Sequence, residues 1–598
     1  MQAILLAAGY GNRMRPLTDN VHKTLLDIGG RTIIGRILDG LEENGVLDIG
    51  VVTGYRDQEL REHLLQHHPG FRFTFVHNPR YRETNNIHSL ALGLQQLPIE
   101  SDVILIESDL VCEPDVFRRI CQTPHANAAL LDRWKTGMDG TVVTIADGLV
   151  HQVIPPHLQV GEFSFADKYK TLNIYKFSKE FCRTGFKQLL TFYAQTFDDN
   201  CYYELVLGML IYMRQADIHA EVVDGLRWAE VDDPNDVRIA EFVFDPAART
   251  RILDESMGGY WAHDVLDFCF IRNMHFPPPA VFAEVRANLT KLLHNYGSKQ
   301  AILDQKLAYL LLRDVQRLRV LNGASQLYPL LGHKWGTLKT LLPTPTFGEY
   351  PRWFPHHETY ADQPGMDWTE ILGKAQDAEL VIFVNPNNPT GTVLETAKIV
   401  AFARQNPHKK VVVDESFIEF TGQPSILDTL DVEPLTNVLV LKSLSKSLGI
   451  PGVRLGYAYT ADADLHREIG AWLPIWNLNS VAEHLLEILL KHRRTLTESY
   501  ARTIADRQQF LHELAELPCV AQTWQSGADF VLVRMHEHAA PDRGWTAALL
   551  DRHSILVKDV SPKLKGGTWL RFAVRLPEEH RRLCQALLDV AADRQPRD

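Results

Sequence analysis

Two sets of short apolar runs, each ending abruptly in polar or glycine-rich residues, most constrain how this chain can fold. One set begins at residue 3 and the other lies between residues 381 and 457. They are too far apart to share one hydrophobic core, and 598 residues with 45% apolar content can bury two cores. We therefore expect two α/β domains, residues 1–246 and 255–598, joined by a polar linker at residues 247–254.

The later set contains a candidate amine nucleophile. The apolar runs 381–384 and 411–413 are typical of buried strands, and the second ends directly in Asp414. Polar groups at the carboxyl ends of neighbouring strands are where α/β sheets bind ligands. Downstream, Lys446 can form a Schiff base with an aldehyde, and Arg454 can hold a phosphate group. This combination predicts a site for pyridoxal phosphate.

These segments resemble the fold-type I pyridoxal-phosphate enzymes of the aminotransferase class I/II superfamily. By this resemblance Lys446 would carry the cofactor, Asp414 would pair with its pyridine nitrogen, and Asn388 would hydrogen-bond its 3-oxygen. Phe347 would stack on the cofactor ring. The residues that would hold the cofactor phosphate are Ser443, Ser445, Arg454 and the turn formed by Gly323, Ala324 and Ser325.

The reaction of this domain is less constrained. Many aminotransferases of the group have Tyr where this chain has Phe417, whereas the segments 417–420 and 569–575 resemble threonine-phosphate decarboxylase. That resemblance implies that Arg571 binds the substrate α-carboxylate and that Arg575 reaches its distal phosphate or phosphonate. Residues i and i+4 of a strand share a face, so both arginines could point inward, although one could instead face solvent. The resemblance favours decarboxylation, with transamination as the alternative.

Two further segments concern the substrate pocket and the oligomeric state. Tyr296 matches the position at which this superfamily reaches across a dimer interface to the partner's cofactor phosphate, so we expect a homodimer through this domain. The aromatic segment 472–477 could wall the substrate pocket or could simply pack a helix against a loop.

The first set opens with the apolar run 3–8, which leads into a loop with two glycines. Glycine lets the backbone approach a phosphate chain, and Arg13 and Lys23 supply positive charge. Met14 replaces the third glycine of a Rossmann fingerprint, and the sequence of a P-loop is absent. The loop instead resembles that of nucleotidyltransferases, which implies a Rossmann-like fold with Arg13 and Lys23 in catalytic roles. The residues expected to contact the nucleotide are Leu6, Ala7, Ala8, Gly9, Gly11, Asn12, Arg13, Lys23, Asn86 and Ser89.

A nucleotidyltransferase needs a divalent metal to gather the triphosphate. Asp109 follows the apolar run 103–106, and Asp232 follows a second predicted strand. By the family resemblance these two carboxylates are magnesium ligands. Acids before a helix can also serve as caps, which is the role we expect for Asp233 before Pro234.

One more segment indicates which kind of molecule accepts the nucleotidyl group. Residues 78–90 resemble the corresponding part of phosphocholine and phosphonate cytidylyltransferases, which implies CTP and a small phosphate or phosphonate as substrates. Asn85, Asn86 and Ser89 could position nucleotide or acceptor, or could cap the helix that follows. Glu204 could meet an ammonium group or could be an ordinary surface acid.

Charge and cysteine usage exclude several classes of partner. The net charge of −12 and the pI near 6.1 argue against nucleic acid and anionic membranes as partners. Seven cysteines occur without a C-x-x-C pair, which favours reduced thiols and a cytoplasmic location. The start lacks the regions of a signal peptide, and no apolar stretch approaches about 20 residues.

Together these features predict a bifunctional enzyme, a CTP-dependent cytidylyltransferase joined to a pyridoxal-phosphate-dependent decarboxylase of a phospho- or phosphono-amino acid. The whole chain resembles fused proteins of this kind from phosphonate natural-product pathways. The order of the reactions stays open: decarboxylation first would give a CDP-ethanolamine-like product, and cytidylylation first would give a CMP-linked amino acid for decarboxylation. The alternatives are an aminotransferase in the later domain and a regulatory nucleotide-binding module in the first.

Overall fold

A computed structural model describes residues 1–160, 163–363 and 365–592. The chain divides into two compact units, Met1–Asp264 and Val265–Asp598. Both units combine helices with sheets that contain parallel strands, so the predicted α/β class is confirmed. No helix in the described ranges combines the length and apolar character needed to cross a bilayer.

The first unit is built on a central sheet with the strand order β3-β2-β1-β4-β9-β6-β10-β8-β7, and β11 pairs with β5 beside it. Strand β1 runs parallel to β2 and β4, whereas β9 is antiparallel to β4 and β6. The strands in the described residues are β1 (Gln2–Ala7), β2 (Asp48–Thr53), β3 (Arg72–His77), β4 (Val103–Glu107), β5 (Leu110–Cys112), β6 (Ala128–Arg133), β7 (Val142–Ala146), β8 (Leu149–Ile154), β9 (Tyr169–Phe177), β10 (His219–Val222) and β11 (Trp228–Glu230).

Helices cover both faces of this sheet, and β1 shows why. Its residues alternate between two apolar clusters, with Ala3 and Leu5 in one and Ile4 and Leu6 in the other. A strand buried on both faces reads as an unbroken apolar run, which is how the sequence revealed it. The helices are α1 (Ile33–Glu43), α2 (Asp57–His67), α3 (Asn86–Gln96), α4 (Pro114–Gln122), α5 (Lys179–Arg183), α6 (Gly185–Thr196), α7 (Glu204–Tyr212), α8 (Pro234–Phe244) and α9 (Pro246–Ser256).

Residues 247–254, which we expected to be a linker, form part of helix α9 in the structure. The Asp245 side chain accepts a hydrogen bond from the Ala247 backbone N–H at 3.0 Å and so caps the helix. Proline fits the first turn of a helix, where its missing N–H is not needed. Arg249 Nε donates to the Phe242 carbonyl at 2.8 Å, and Ile252 is buried. The Asp-Pro pair therefore begins a helix of the first unit.

The second unit has a seven-stranded sheet with the order β13-β19-β18-β17-β16-β14-β15, in which β19 is antiparallel to both of its neighbours. A smaller sheet has the order β20-β21-β24-β23, and β12 pairs with β22. The strands in the described residues are β12 (Leu266–Asp267), β13 (Leu318–Leu321), β14 (Thr340–Thr344), β15 (His357–Ala361), β16 (Leu380–Val384), β17 (Lys410–Asp414), β18 (Val438–Ser443), β19 (Gly456–Thr460), β20 (Val520–Trp524), β21 (Phe530–Met535), β22 (Ile555–Leu556), β23 (Lys558–Asp559) and β24 (Trp569–Ala573).

Apolar clusters again lie on both faces of the larger sheet. Strands β16, β17 and β18 are parallel neighbours, so their carboxyl ends bring three polar loops to one edge of the sheet. The helices are α10 (Pro279–His294), α11 (Gln300–Leu311), α12 (Tyr328–Trp335), α13 (Glu349–Trp353), α14 (Trp368–Lys374), α15 (Thr396–Gln405), α16 (Ile426–Val432), α17 (Leu444–Ser447), α18 (Ala463–Trp472), α19 (Ser480–Ile488), α20 (Arg493–Ala515), α21 (Trp545–His553) and α22 (Pro577–Ala592).

The close approach of α1 and α4 yields a stability prediction. A Cβ atom on Gly40 would lie 2.2 Å from Phe117 Cδ2, so Gly40→Ala forces the two helices apart. We expect the opening free energy of α1 to fall by about 1–3 kcal/mol, measured by hydrogen exchange. Gly185→Ala is the control, because its Cβ would meet nothing within 4 Å. Equal protection of α1 in Gly40→Ala and wild type would contradict this packing.

Candidate active sites

The residues predicted to bind nucleotide or metal line one cavity of about 590 Å³ in the first unit. This volume is in the range of small-molecule sites. The glycine loop forms one wall, and the ends of β4 and β11 bring carboxylates to another. The predicted residues found in the lining are Leu6, Ala7, Ala8, Gly9, Gly11, Asn12, Arg13, Lys23, Asn86, Ser89, Asp109, Glu204 and Asp232.

The charged centre of this cavity is a lysine held between two carboxylates. Lys23 Nζ donates to Asp109 Oδ2 at 3.0 Å and to Asp232 Oδ1 at 2.8 Å. Burial opposes the charge of Lys23, but the two carboxylates outweigh it and raise its pKa. Arg13 Nη2 also donates to Asp232, at 2.6 Å. Four groups that lie far apart in the sequence therefore form one electrostatic cluster.

The donor set of this cluster fits a magnesium ion. Mg²⁺ is usually bound through one or two carboxylates together with the phosphates of its substrate. Asp109 Oδ1 is buried and has no hydrogen-bond partner among the described residues. Asp232 and Asp109 share Lys23, so a metal between the carboxylates would compete with an internal cation. Asp233 instead caps α8 in a capping box with Asp236, as predicted.

Of the two asparagines at the start of α3, Asn85 caps the helix and Asn86 lines the cavity. Asn85 is the N-cap residue of α3, and its side chain accepts from the Asn86 backbone N–H. Asn86 Nδ2 donates to Glu107 Oε1 at 3.0 Å, while its Oδ1 accepts from the Tyr203 backbone N–H at 3.0 Å. Ser89 Oγ accepts from Asn78. Asn86 and Ser89 therefore have protein partners already and support the cavity wall.

Glu204 is not a surface acid, because its side chain is buried in the cavity wall with only 5% of the residue exposed. Its Oε2 atom has no hydrogen-bond partner among the described residues. Burial raises the pKa of Glu204. Glu107 and Glu230 line the same cavity, and Lys170 pairs with Glu230 at 3.0 Å. This end of the cavity therefore carries more carboxylates than cations.

Sequence reasoning missed Lys170 and Asn173, both on β9. Asn173 Nδ2 donates to Glu230 Oε1 at 3.1 Å. Their strand enters this sheet through antiparallel pairing with β4 and β6. Such pairing joins residues that are far apart in the sequence, and no local motif predicts it.

In the second unit the candidate cofactor site lies at the carboxyl ends of β16, β17 and β18. Lys446 is in the short helix α17, directly after β18, and its carbonyl accepts from the Asn273 backbone N–H at 2.9 Å. Burial lowers the pKa of Lys446, which favours the neutral amine needed for attack on an aldehyde. Asp414, at the end of β17, is also buried.

Asp414 is oriented by two side chains. Tyr350 Oη donates to Asp414 Oδ2 at 2.7 Å, and Ser416 Oγ donates to Oδ1 at 2.6 Å. Burial raises the pKa of Asp414, so a cationic partner such as a protonated ring nitrogen would stabilise its charged form. Tyr350 belongs to the motif around Phe347, but its contact with Asp414 was not predicted. Phe347 is 39% exposed and can present its ring to a ligand.

The proposed phosphate cradle is preformed by Arg454 and the turn at Gly323. Arg454 Nη2 donates to Ser325 Oγ at 3.1 Å, and Nη1 donates to Ser445 Oγ at 3.4 Å. A Cβ atom on Gly323 would lie 2.4 Å from Arg454 Nη2, and Gly323 has a φ of +75°, so another residue would displace the guanidinium and strain the turn. Ala324 begins a short 3-10 helix at this turn. These hydroxyl and guanidinium groups suit a phosphate.

Ser443 and Asn388 complete the predicted cofactor contacts. Ser443 ends β18, and its backbone N–H donates to Ser416 Oγ at 3.0 Å. Asn388 Oδ1 accepts from Arg571 Nη1 at 2.7 Å, and Arg571 Nη2 donates to the Cys269 carbonyl at 2.6 Å. Arg571 Nε is buried without a partner among the described residues. The donor set, the cradle and this free donor fit pyridoxal phosphate with an anionic substrate.

Arg575 differs from its prediction. The shared-face argument required one continuous strand from Arg571, but β24 ends at Ala573. Arg575 Nη1 donates to the Asp267 carbonyl at 2.8 Å, and Nη2 donates to Glu579 at 2.6 Å. The structure therefore gives Arg575 two protein acceptors that lie outside β24 and outside the predicted cofactor contacts.

Tyr296 lies at the surface of the second unit, with 80% of the residue exposed. Its ring stacks on Trp476 at a centroid distance of 4.5 Å. The aromatic segment 472–477 is thus joined to Tyr296, and both present large apolar groups to solvent.

The chain matches two family models, one in each unit. Residues 264–587 match the family Aminotransferase class I and II, and residues 3–162 match the MobA-like NTP transferase domain. The chain is 31% identical to CMP-5'-(3-aminopropyl)phosphonate synthase of Streptomyces rubellomurinus, over 99% of this chain and 95% of that protein.

Two further relatives cover the second unit. L-serine phosphate decarboxylase of Sulfurospirillum multivorans is 28% identical over 51% of this chain and 81% of that protein. The solved structure of a decarboxylase from the same organism superposes with a TM-score of 0.50 at 25% identity, covering 57% of this chain and 92% of that chain. The chain therefore belongs to the class I and II aminotransferase family through residues 264–587, and it is an enzyme that joins this pyridoxal-phosphate-dependent domain to an amino-terminal NTP transferase domain.

Proposed function

We propose that the first unit transfers CMP from CTP to a small amino-phosphonate or amino-phosphate, and that the second unit decarboxylates the corresponding amino acid. The observation that carries this proposal is the cavity in which Lys23, the carboxylates of Asp109 and Asp232, and Glu204 converge, with Glu204 Oε2 lacking a hydrogen-bond partner among the described residues. The similarity along the full chain to a CMP-aminopropylphosphonate synthase supports joining the two chemistries.

In the first unit, the chain's own groups place and neutralise the triphosphate. Asp109 and Asp232 would hold Mg²⁺, which supplies charge stabilisation at the phosphates. Lys23 and Arg13, released from these carboxylates, would neutralise negative charge that develops as pyrophosphate leaves. Such positioning and charge neutralisation account for most of the catalysis of phosphoryl-type transfers.

Glu204 supports an acceptor that bears an ammonium group. Its buried Oε2 lacks a partner in the described part of the chain, and an unpaired buried carboxylate oxygen is costly. An ammonium group on the acceptor would satisfy this oxygen and would leave the phosphonate oxygen to face the α-phosphorus. A neutral or anionic substituent at the same place would not give Glu204 Oε2 a cationic partner.

In the second unit, bound pyridoxal phosphate supplies an electron sink for the electrons released at the substrate α-carbon. Lys446 would hold the cofactor covalently, and Asp414 would keep its ring nitrogen protonated. Arg571 would bind the substrate carboxylate through Nε, since its other nitrogens already donate to protein acceptors. By fixing the carboxylate, Arg571 would orient the bonds of the substrate α-carbon and so favour the loss of one of its groups over the others. The relationship to L-serine phosphate decarboxylase supports decarboxylation.

A homodimer through the second unit completes the proposal. Phe282, Leu289 and Leu293 are exposed on one face of α10, and Tyr296 follows this helix. We call these four residues the α10 patch. Large exposed apolar patches on a folded unit mark interaction sites. A second copy seated here would bring Tyr296 to the cofactor phosphate of its partner. The chain would act in the cytoplasm.

Reciprocal variants test the two assignments. With CTP, Mg²⁺ and both the amino acid and the amine as acceptors, Asp109→Asn should lower pyrophosphate release by at least about 100-fold because metal binding is lost. If wild type releases carbon dioxide from the amino acid without CTP, Asp109→Asn should release it at the same rate. Lys446→Ala should abolish carbon dioxide release and borohydride fixation of the cofactor, while pyrophosphate release persists.

These variants also establish the order of the reactions. If Lys446→Ala releases pyrophosphate when the amino acid is the only acceptor supplied with CTP and Mg²⁺, cytidylylation can come first. If wild type releases carbon dioxide from the amino acid without CTP, decarboxylation can come first. If keto-acid-dependent formation of pyridoxamine phosphate replaces carbon dioxide release, the second unit is an aminotransferase. If Asp109→Asn keeps full pyrophosphate release, the cytidylyltransferase assignment is wrong.

Glu204→Gln tests recognition of the acceptor. The substitution keeps the size of the side chain and removes its charge, so we expect the KM for an aminoalkylphosphonate to rise about 10-fold or more with the KM for CTP unchanged. The matched substrate control is the alkylphosphonate without the amine, which should react poorly with both proteins. Equal acceptor KM values in the variant and wild type would remove Glu204 from this role.

The α10 patch generates a prediction on assembly. Leu293 is 70% exposed, and Leu293→Glu should convert the dimer to a monomer in size-exclusion chromatography with light scattering. Cofactor retention should weaken because Tyr296 of the partner no longer contacts the phosphate. Leu65→Glu, on α2 of the first unit, is the control and should stay dimeric. A monomeric wild-type protein would contradict the proposal.

A further inference from the structure

Asp362 is a buried acid that the sequence motifs do not predict and that the roles proposed above leave unused. It directly follows β15, and only 4% of the residue is exposed. Burying a carboxylate is costly unless hydrogen bonds replace those that it made with water. The bonds that Asp362 accepts come from a neighbouring loop, and they identify what this carboxylate holds in place.

The carboxylate of Asp362 accepts two hydrogen bonds from the loop that carries Asn388. Asn387 Nδ2 donates to Asp362 Oδ2 at 2.5 Å, and Thr390 Oγ1 donates to the same oxygen. Both donor residues are buried. Burial raises the pKa of Asp362 to about 6, so the side chain is mainly charged above neutral pH, and a charged acceptor makes the stronger hydrogen bonds. The carboxylate therefore fixes the loop on both sides of Asn388.

Asn387 extends this contact to the loop that follows β14. Its Nδ2 also donates to the Pro345 carbonyl at 2.7 Å, and its Oδ1 accepts from Thr346 Oγ1 at 3.0 Å. Phe347, the residue expected to stack on the cofactor ring, comes next in the chain. The side chain of Asn387 therefore links the loop of Phe347 to the carboxylate of Asp362.

The strand order of the larger sheet explains why these segments meet. Strand β14 lies between β15 and β16 and runs parallel to both, so the three carboxyl ends share one edge of the sheet. The Asp362 backbone N–H donates to the Thr344 carbonyl, at the end of β14, at 2.9 Å. Asp362 is thus anchored through its backbone at the edge from which both loops leave.

We propose that Asp362 is a positioning residue of the cofactor site. Through its bonds to Asn387 and Thr390 it holds the two loops in one arrangement. One loop then presents Asn388 to the edge of the cofactor ring, and the other presents Phe347 to its face. Contacts that are already in place strengthen binding, because less ordering is needed when the ligand arrives. This inference deepens the proposed pyridoxal-phosphate site and rests on it.

The first measurement is hydrogen exchange in the full-length protein without cofactor. It follows residues 385–392, in which the Asn387 backbone N–H donates to the Thr392 carbonyl at 3.1 Å. Asp362→Asn removes the charge and replaces one acceptor oxygen by an N–H donor, so exchange in this segment should be about tenfold faster or more. Thr346→Val removes only the bond to Asn387 and should produce a smaller increase.

The second measurement uses protein loaded with pyridoxal phosphate above neutral pH. The cofactor should dissociate from Asp362→Asn about tenfold faster than from wild type, and its circular dichroism, which depends on how the protein holds the ring, should weaken. Thr346→Val should shift both in the same direction. In the double variant the dissociation rate should rise by less than the product of the two single effects, because both substitutions act through Asn387.

The matched control is Thr340→Val, at the other end of β14. Thr340 is as buried as Thr346, and its Oγ1 donates to the Leu338 carbonyl at 3.0 Å. Removing this hydroxyl costs one buried hydrogen bond but touches neither cofactor loop. Exchange in residues 385–392, cofactor dissociation and circular dichroism should all stay at their wild-type values.

The outcomes separate this inference from the function proposed above. Wild-type exchange in residues 385–392 of Asp362→Asn overturns the inference, and so does faster exchange with an unchanged rate of cofactor dissociation. If wild type binds no pyridoxal phosphate, the proposed function of the second unit fails, and the exchange data alone decide whether Asp362 joins the loops. If Asp362→Asn unfolds, fast exchange throughout β13 reveals it. Thr346→Val then decides, and wild-type rates in that variant overturn the inference.

Discussion

Burial of charge is the physical constraint on which both sites depend. A cation removed from water needs an opposite charge nearby, and Lys23 has two carboxylates within 3.0 Å. The same carboxylates are the proposed metal ligands, and a bound metal would replace Lys23 and Arg13 as their counter-charge. Lys446, in contrast, is partly buried and loses more by desolvation than it gains from nearby carboxylates, so its pKa is lowered toward the neutral amine.

Polar atoms without partners indicate where ligands belong. Asp109 Oδ1, Glu204 Oε2 and Arg571 Nε are among the buried side-chain atoms that make no hydrogen bond in the described part of the chain. Folded proteins rarely leave such groups unsatisfied, because each one costs about 1–3 kcal/mol. Each of these atoms faces a place where the proposed chemistry puts a group of opposite character: a metal, an ammonium group and a carboxylate.

The sheets explain why each site can be assembled from distant segments. Parallel strands place their carboxyl ends at one edge, so β16, β17 and β18 bring the Asn388 loop, Asp414 and Lys446 together. In the first unit, β1 and β4 do the same for the glycine loop and Asp109. The apolar runs of these strands are buried on both faces, and this packing makes the edge rigid enough to hold side chains in a defined geometry.

The sequence by itself determined the two α/β units, the strands that carry the motifs, and the candidates Lys446, Asp414, Lys23 and Asp109, because these features depend on local runs and short spacings. Tertiary structure decided the rest. The burial of Glu204 depends on the packing of α7 into the core, and the position of Lys170 depends on the pairing of β9 with β6. Neither long-range contact leaves a local pattern. Arg575 lies beyond the end of its strand, and a shared face cannot extend past the last paired residue. Residues 247–254 form a helix because capping and packing outweigh their polar composition.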